Sequence, residues 1–318
     1  MNSLDQSRKV KVVFVGGAAR SGSTILDCVL GQIDGFFSVG EFRLIWEEGF
    51  VGNYLCGCGK SFRSCSFWNA VVEKVFGGFE KVVPSSLLTL WRSVDRIRNI
   101  PKLAFSAFRS SSFQSVYSEY LDILNRMYKA VYELSGCKII VDSSKSLSHG
   151  LLLNSSKEID LRVIHLVRDS RAVAFSMQRK KHNPAVTGAK GEAYMGRQGV
   201  LASARDWFLA NSIASTFSKL FPYYTLLRYE DFAEQPKKEL ERVFKSLKLN
   251  LPQINFFISD NTVKVGINHT VSGNPVRLHH GEIKLRPDVV WTQRMPTAQK
   301  LVVTLITWPL LFKYGYFK

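Results

Sequence analysis

A β-branched run, Val10–Val15, passes directly into Gly17-Ala18-Ala19-Arg20-Ser21-Gly22-Ser23-Thr24 and then into the apolar periodic stretch Ile25–Leu30. Strand, glycine-rich turn and helix in that order make an anion cradle. The glycines allow close backbone approach, and loop N–H groups and a helix N-terminus point at one negative group. The spacing G-x4-G-x-[ST] is that of a nucleotide phosphate loop, except that Ser23 stands where the lysine belongs. That lysine serves the β- and γ-phosphates with Mg2+ beside it, so its absence argues against ATP or GTP hydrolysis. Arg20, inside the loop, supplies a cation instead, and its planar fork can hold two anionic oxygens. A second anion contact is expected at Arg168. It follows the strand candidate Arg162–Val167, at the carboxyl end where open α/β sheets bind ligands. Ser176, about two helical turns further on, can share the same anion.

These side chains need a scaffold. Lys138–Val141 and Tyr224–Leu227 are further buried-strand candidates, each followed by a polar turn and a helical pattern. Strands alternating with helices predict an α/β fold: a P-loop-type parallel sheet flanked by helices. Ser111–Leu134, Gly199–Leu220 and Glu239–Leu249 read as helices. Residues 43–110 are rich in Cys, Trp, Phe and Ser and read as loops and helices laid over the sheet; residues 261–295 read as a long ordered loop. The chain is expected to be one domain over 1–318, with an insertion at roughly 43–135 after the first βα unit shaping a second substrate site, helped by residues 180–200. Residues 1–8 read as a polar tail, and no stretch reaches the ~20 apolar residues needed to span a bilayer, so a cytoplasmic protein is expected. The apolar C-terminal stretch Leu301–Phe312 reads as a helix packed on the core, with a helix lying on a membrane as the sharper option.

Lys and Arg number 43 and Asp and Glu 26, giving a formal charge of +17. Such a charge predicts attraction to polyanions: nucleic acid, an anionic membrane surface, or a small ligand with several phosphates. No aromatic-rich RNA motif, zinc finger or helix-turn-helix pattern supports nucleic acid.

Four segments together resemble the sulfotransferases that use 3′-phosphoadenosine 5′-phosphosulfate. RSGSTIL, from Arg20 to Leu26, is similar to that family's 5′-phosphosulfate loop; HLVRDSRAVAFS, from His165 to Ser176, resembles its 3′-phosphate motif, with Ser170 where the family often has proline. LRYEDF, from Leu227 to Phe232, resembles the segment whose tyrosine, here Tyr229, lies against the adenine; HTVSGNPVR, from His269 to Arg277, then Trp291, resembles a late loop that closes over the nucleotide. The resemblance covers roughly residues 10–45 and 138–310 and matches the bacterial branch, with tyrosylprotein- and carbohydrate-sulfotransferase-like motifs. It implies a donor held by Arg20, Ser21, Gly22, Ser23, Thr24, Ile25, Arg168, Ser176 and Tyr229, with Arg277 as a third cationic contact. Arg171 and Arg179 read as surface charges.

The implied chemistry is in-line transfer of a sulfuryl group from the donor to an acceptor hydroxyl, with no metal required. The protein must position two oxygens and stabilise charge on the leaving phosphate. Arg20 and Lys145, in the segment VDSSK that resembles the family's catalytic-lysine segment, are the cations. An acceptor hydroxyl needs a general base. FFSVGEFRL, from Phe36 to Leu44, resembles the tyrosylprotein-type and bacterial pattern with a Gly-Glu pair, which makes Glu41 the base; His149 is the reserve, His165 a core residue, and His279 and His280 sit at the acceptor mouth. The acceptor is a small molecule or a glycan or lipid, with sugar hydroxyls, lipid head groups, phenols and peptide tyrosines all open and a carbohydrate or lipid-linked sugar favoured; an anionic membrane surface is a further candidate partner. The competing reading is a phosphotransferase of P-loop type, with Asp142 in KIIVD binding Mg2+.

Cys56, Cys58 and Cys65 crowd ten residues of sequence. Three cysteines suggest zinc, but a structural site takes four ligands, and no histidine lies nearby in sequence. Buried thiols, a disulfide or redox role, and a metal all stay open, and no metal site is assigned.

Overall fold

The computed structural model describes residues 9–186 and 193–317. The expected tail at 1–8, and residues 187–192 of the expected acceptor segment, lie outside the described residues.

Five strands form the central sheet: β1 (Val10–Gly17), β2 (Phe36–Gly40), β3 (Ile139–Lys145), β4 (Ile159–Val167) and β5 (Tyr224–Arg228). Their order is β2-β3-β1-β4-β5, and every neighbouring pair is parallel. The three inner strands are buried nearly throughout, as their unbroken Val/Ile runs require of a sheet covered on both faces. The chain runs from β1 past β3 to the edge strand β2, returns to β3 and then crosses β1 to β4 and on to β5, so the connections after β1 and β4 lead to opposite sides and the carboxyl ends of these two strands flank a switch point, where such sheets bind ligands.

Between β2 and β3 the chain builds a helical layer from Ser66–Phe76, Pro84–Val94, Ile100–Ala104 and the long helix Ser111–Ser135. Its aromatic side chains, including Trp46, Phe50, Phe62, Trp68 and Tyr120, form one continuous core with the underside of β1 and β3. The expected insertion thus contributes half of a core shared with the sheet as well as loops.

Two expectations need correction. β2 escaped the sequence reading, because FFSVG is short and ends in glycine. Residues 261–295 are not a plain loop: β6 (Thr262–Val265) and β7 (Gly281–Lys284) pair antiparallel, and Val290–Arg294 is a short helix. The C-terminal stretch is a helix, Thr297–Lys313, packed on the helices Val200–Thr216 and Ser170–Gln178. Ser170, which stands where proline is frequent in the resembled family, lies 2.8 Å hydroxyl to hydroxyl from Thr307 of that helix. The helix leaves Leu301, Leu305, Trp308 and Phe312 exposed along one side. No helix among the described residues is long and apolar enough to cross a membrane.

Candidate active site

A cleft of about 660 Å³ opens at the carboxyl ends of β1, β3 and β4. It gathers Arg20, Gly22, Ser23, Thr24 and Ile25 with Glu41, Lys145, Arg168, Ser176 and Tyr229. Ser21, within the loop, is buried, and its hydroxyl has no hydrogen-bond partner among the described residues.

The loop turns into the helix Ser23–Leu30 at Gly22, whose φ is 94°. A Cβ there would lie 2.3 Å from the Tyr229 ring, so the loop and the aromatic wall can meet only at a glycine. The first N–H groups of such a helix have no intrahelical partner, and the residues that carry them here, Ser23 and Thr24, line the cleft. Arg20 has a φ of 63° and Lys145 one of 65°. Left-handed backbone at non-glycine residues is held only where the surroundings over-determine it, and here it occurs at two cations lining one cleft. Burial pulls the Arg20 guanidinium below its usual pKa; the nearby Glu41 opposes that and Arg168 adds to it.

Arg168 is buried. Nη1 donates to the Arg20 carbonyl at 3.0 Å, and Nη2 donates to Asp288 at 2.8 Å, while its Nε has no partner among the described residues. The two cradles therefore touch, and Arg168 carries a carboxylate where a ligand anion would sit. Its guanidinium carbon lies 5.1 Å from the centre of the Tyr229 ring.

Glu41 follows the end of β2, and its N–H donates to the Ser272 carbonyl at 3.2 Å. Its carboxylate forms an ion pair with Lys145 Nζ, and both side chains are about one-sixth exposed. The late loop docks on the phosphate loop as well: Asn274 N–H donates to Thr24 Oγ1 at 3.1 Å, and Lys181 Nζ donates to Asn274 Oδ1 at 2.7 Å.

Other expected residues lie elsewhere. Arg277 does not line the cleft. It is buried, donates to the carbonyls of Thr270 at 2.9 Å and Leu55 at 2.5 Å, and braces the base of the late loop. His279 and His280 are exposed beside Glu282 and Gly266 carbonyls and do not line the cleft. Trp291 stacks with Arg171, 4.8 Å from its guanidinium carbon, and Arg171 is tied to Asp169 at 2.6 Å. His165 is a core residue, as expected. Tyr224 and Asn211 hold it at 2.6 and 2.8 Å, and burial lowers its pKa to about 4.

His149, the reserve base, is fully buried away from the cleft. Its Nδ1 is 3.2 Å from Asp95 and its Nε2 is 3.1 Å from Asp142. Asp95 also takes Arg43 at 3.0 Å, and Asp142 takes the Tyr128 hydroxyl at 2.5 Å and the Ser144 N–H at 2.8 Å. Asp142 is therefore enclosed with both oxygens engaged, outside the cleft where the competing reading needs it for Mg2+. Burial alone would discharge His149, but the two carboxylates raise its pKa to about 9; burial would raise Asp95, but His149 and Arg43 hold it at about 2. This balanced cluster anchors Ser144, whose neighbour is Lys145. A histidine raised in the fold adds stability below its unfolded pKa near 6.5 and loses it as pH climbs through the folded value. The melting temperature is expected to fall between about pH 6.5 and pH 9, by at most about 3 kcal/mol of stability. Thermal denaturation across that range should show a slope that His149→Gln flattens; an equal slope in both proteins would remove His149 as its source.

Lys180, Lys181 and Met195, within the 180–200 segment expected to shape the acceptor site, and Asn274, within the expected late loop, line the cleft, while Arg179 and Asp288 were not expected there. Arg179 was expected at the surface. The run Arg179-Lys180-Lys181, directly after the helix that carries Ser176, was the available signal. Asp288 had none.

A model of the sulfotransferase family matches residues 12–253, and the chain belongs to that family. Human carbohydrate sulfotransferase 5 is 27% identical over 178 residues, which cover 52% of this chain and 42% of the human protein. The chain thus matches less than half the length of that relative. The fold is similar to the sulfotransferase domain from the curacin biosynthetic pathway, with a TM-score of 0.50, 16% identity, and 96% and 98% of the two chains covered.

Proposed function

We propose that the cleft binds 3′-phosphoadenosine 5′-phosphosulfate and passes its sulfuryl group in line to an acceptor hydroxyl. One observation carries this reading: the Arg20 loop and Arg168 line one cleft, which the Glu41–Lys145 pair lines as well. The loop N–H groups, Ser21, Ser23, Thr24 and Arg20 take the 5′ end; Arg168 and Ser176 take the 3′-phosphate; Tyr229 flanks the base. The orphaned Ser21 hydroxyl and Arg168 Nε fit a ligand rich in acceptor oxygens. Among the described residues six cations line the cleft against two carboxylates, which suits a donor with several negative charges.

In the reaction the acceptor oxygen bonds to sulfur as the bridging sulfur–oxygen bond breaks. The bridging oxygen and its electrons stay with the departing 3′,5′-bisphosphate, and the acceptor proton goes to Glu41. Arg20 and Lys145 stabilise the charge that grows on the leaving oxygen, which is where preorganised cations act most strongly. Lys145 must turn from Glu41 to that oxygen, so donor binding frees the base.

The acceptor is a carbohydrate or a lipid-linked sugar in this reading. The likeness to a relative named for carbohydrate sulfation supports it, and a small apolar hollow beside Lys145, lined by Ile97, Ile100 and Ala214, suits an apolar aglycone. Residues 1–318 act as one unit, with the layer between β2 and β3 bordering the acceptor. The exposed apolar side of the C-terminal helix and the net charge of +17 support peripheral association with an anionic membrane, in an enzyme that this reading places in the cytoplasm. Co-sedimentation with phosphatidylserine vesicles should fall with Trp308→Ser, and absence of sedimentation would end that part. Incubation of the chain with sulfur-labelled donor and a cell extract, followed by mass spectrometry, should yield a labelled glycan or glycolipid. Label only on phenols or peptide tyrosines would reject the carbohydrate assignment, and no label at all would reject the reaction.

A further inference from the structure

The residue missing from the cysteine cluster comes from the other end of the chain. Cys56, Cys58, Cys65 and His269 each offer one ligand atom, and these four atoms lie within 4.8 Å of one another. His269 begins the late loop that closes on the phosphate loop, so its distance in sequence hid it. All five cysteines among the described residues are free thiols.

We propose that these four residues bind one structural zinc ion. The geometry is that of a tetrahedron waiting for its centre. Zinc–sulfur bonds of about 2.3 Å and zinc–nitrogen bonds of about 2.0 Å set sulfur–sulfur edges of roughly 3.8 Å and sulfur–nitrogen edges of roughly 3.6 Å. Cys58 Sγ to Cys65 Sγ is 3.7 Å, Cys56 Sγ to His269 Nδ1 is 3.7 Å, and Cys65 Sγ to His269 Nδ1 is 3.2 Å. Four protein ligands close the site, the arrangement of a structural ion with no open position for chemistry.

The surroundings orient the ligands. Cys56–Lys60 is a tight turn, closed by Cys56 N–H to Lys60 O at 2.8 Å and Gly59 N–H to Cys56 O at 2.8 Å. Gly57 between the first two cysteines is obligatory, because a Cβ there would lie 1.7 Å from Asn268 Oδ1. Its N–H donates to Thr270 O at 2.9 Å, so the turn and the late loop are pressed together on either side of His269. Trp68 Nε1 donates to the His269 carbonyl at 2.8 Å, and the His269 ring stacks on Phe67 at 5.0 Å. Backbone N–H groups of Cys58 and Trp68 are directed at the sulfurs of Cys56 and Cys65. Outer partners of this kind fix ligand direction and are half of a metal site's design. Three thiolates and one Zn2+ sum to a charge of −1, and the buried Arg277, bonded to the Leu55 carbonyl beside Cys56, supplies the balancing +1. That gives a reason for an arginine buried beneath the late loop without lining the cleft.

The ion would tie the insertion turn to residues 268–270, four residues before the Asn274 contact with Thr24. The site stands apart from the donor and acceptor chemistry, and its test is independent of that reading. The full chain, purified under reducing conditions without chelator, should carry about one zinc per chain by elemental mass spectrometry. Growth with cobalt should give the visible absorption of tetrahedral thiolate cobalt(II). Cys58→Ser and His269→Gln should each weaken zinc binding at least about 10²-fold in a competition with a chromophoric chelator. Should either variant fail to fold, the cobalt spectrum of the unaltered chain still decides. A chain that carries well under one zinc and gives no tetrahedral cobalt spectrum would overturn the site. Full zinc retention by His269→Gln, or a Cys58–Cys65 disulfide in the freshly purified protein, would overturn it as well.

Discussion

Glu41→Gln lowers turnover about 10²- to 10⁴-fold, the usual worth of a positioned general base. Adenosine 3′,5′-bisphosphate should bind the variant as well as the unaltered enzyme or slightly better, since an anion is removed from a cleft that receives anions. The amide keeps the size of the side chain and its place after β2, where the Glu41 N–H already has its partner in Ser272. Only the proton acceptor and the ion pair with Lys145 are lost. Single-turnover kinetics with saturating donor measure the effect, and titration of the bisphosphate measures the affinity. Unchanged turnover would remove Glu41 as the base. No reserve then stands in the cleft, because His149 is enclosed by Asp95 and Asp142.

Arg168→Ala weakens binding of adenosine 3′,5′-bisphosphate about 10²-fold, while adenosine 5′-phosphate loses far less. A buried, charge-assisted fork is worth this much when its partner is a phosphate. The difference between the two nucleotides is the informative quantity, because Arg168 also holds the Arg20 carbonyl and its loss disturbs the loop for every ligand. Asp288 sharpens the test. It occupies Nη2 at 2.8 Å, so the phosphate must share or displace it, and Asp288→Asn should tighten the bisphosphate by about 2- to 5-fold, the worth of a partly exposed ion pair. Equal losses for both nucleotides in Arg168→Ala would contradict the assignment of the 3′-phosphate to this residue.

Local signals carried much of this architecture. Long β-branched runs announced β1, β3 and β4, since a buried parallel strand has no polar alternation to disguise it. Phosphate-loop spacing and strand-end position brought Arg20 and Arg168 to notice before any geometry. Signals failed where the deciding partner is distant or the element short. β6 and β7 have four residues each and are recognisable only as a pair. His149 looks one helical turn from Lys145, but the helix starts at Leu147, after Lys145 has turned left-handed, so the two point to different places. Arg277 read as a ligand contact because its motif is a ligand loop, yet it serves the carbonyls beneath it. His269 completes a cysteine cluster more than two hundred residues away, and no periodicity links them.

One doubly phosphorylated adenosine bridging the Arg20 loop and Arg168 is the claim on which the chemistry stands. Calorimetric titration of the full chain with adenosine 3′,5′-bisphosphate, in the absence of added divalent metal, tests it most directly. Saturable binding of one nucleotide per chain is expected, markedly tighter than that of adenosine 5′-phosphate or adenosine 3′-phosphate. Indifference among the three nucleotides, or a requirement for Mg2+ together with a preference for ATP, would contradict it.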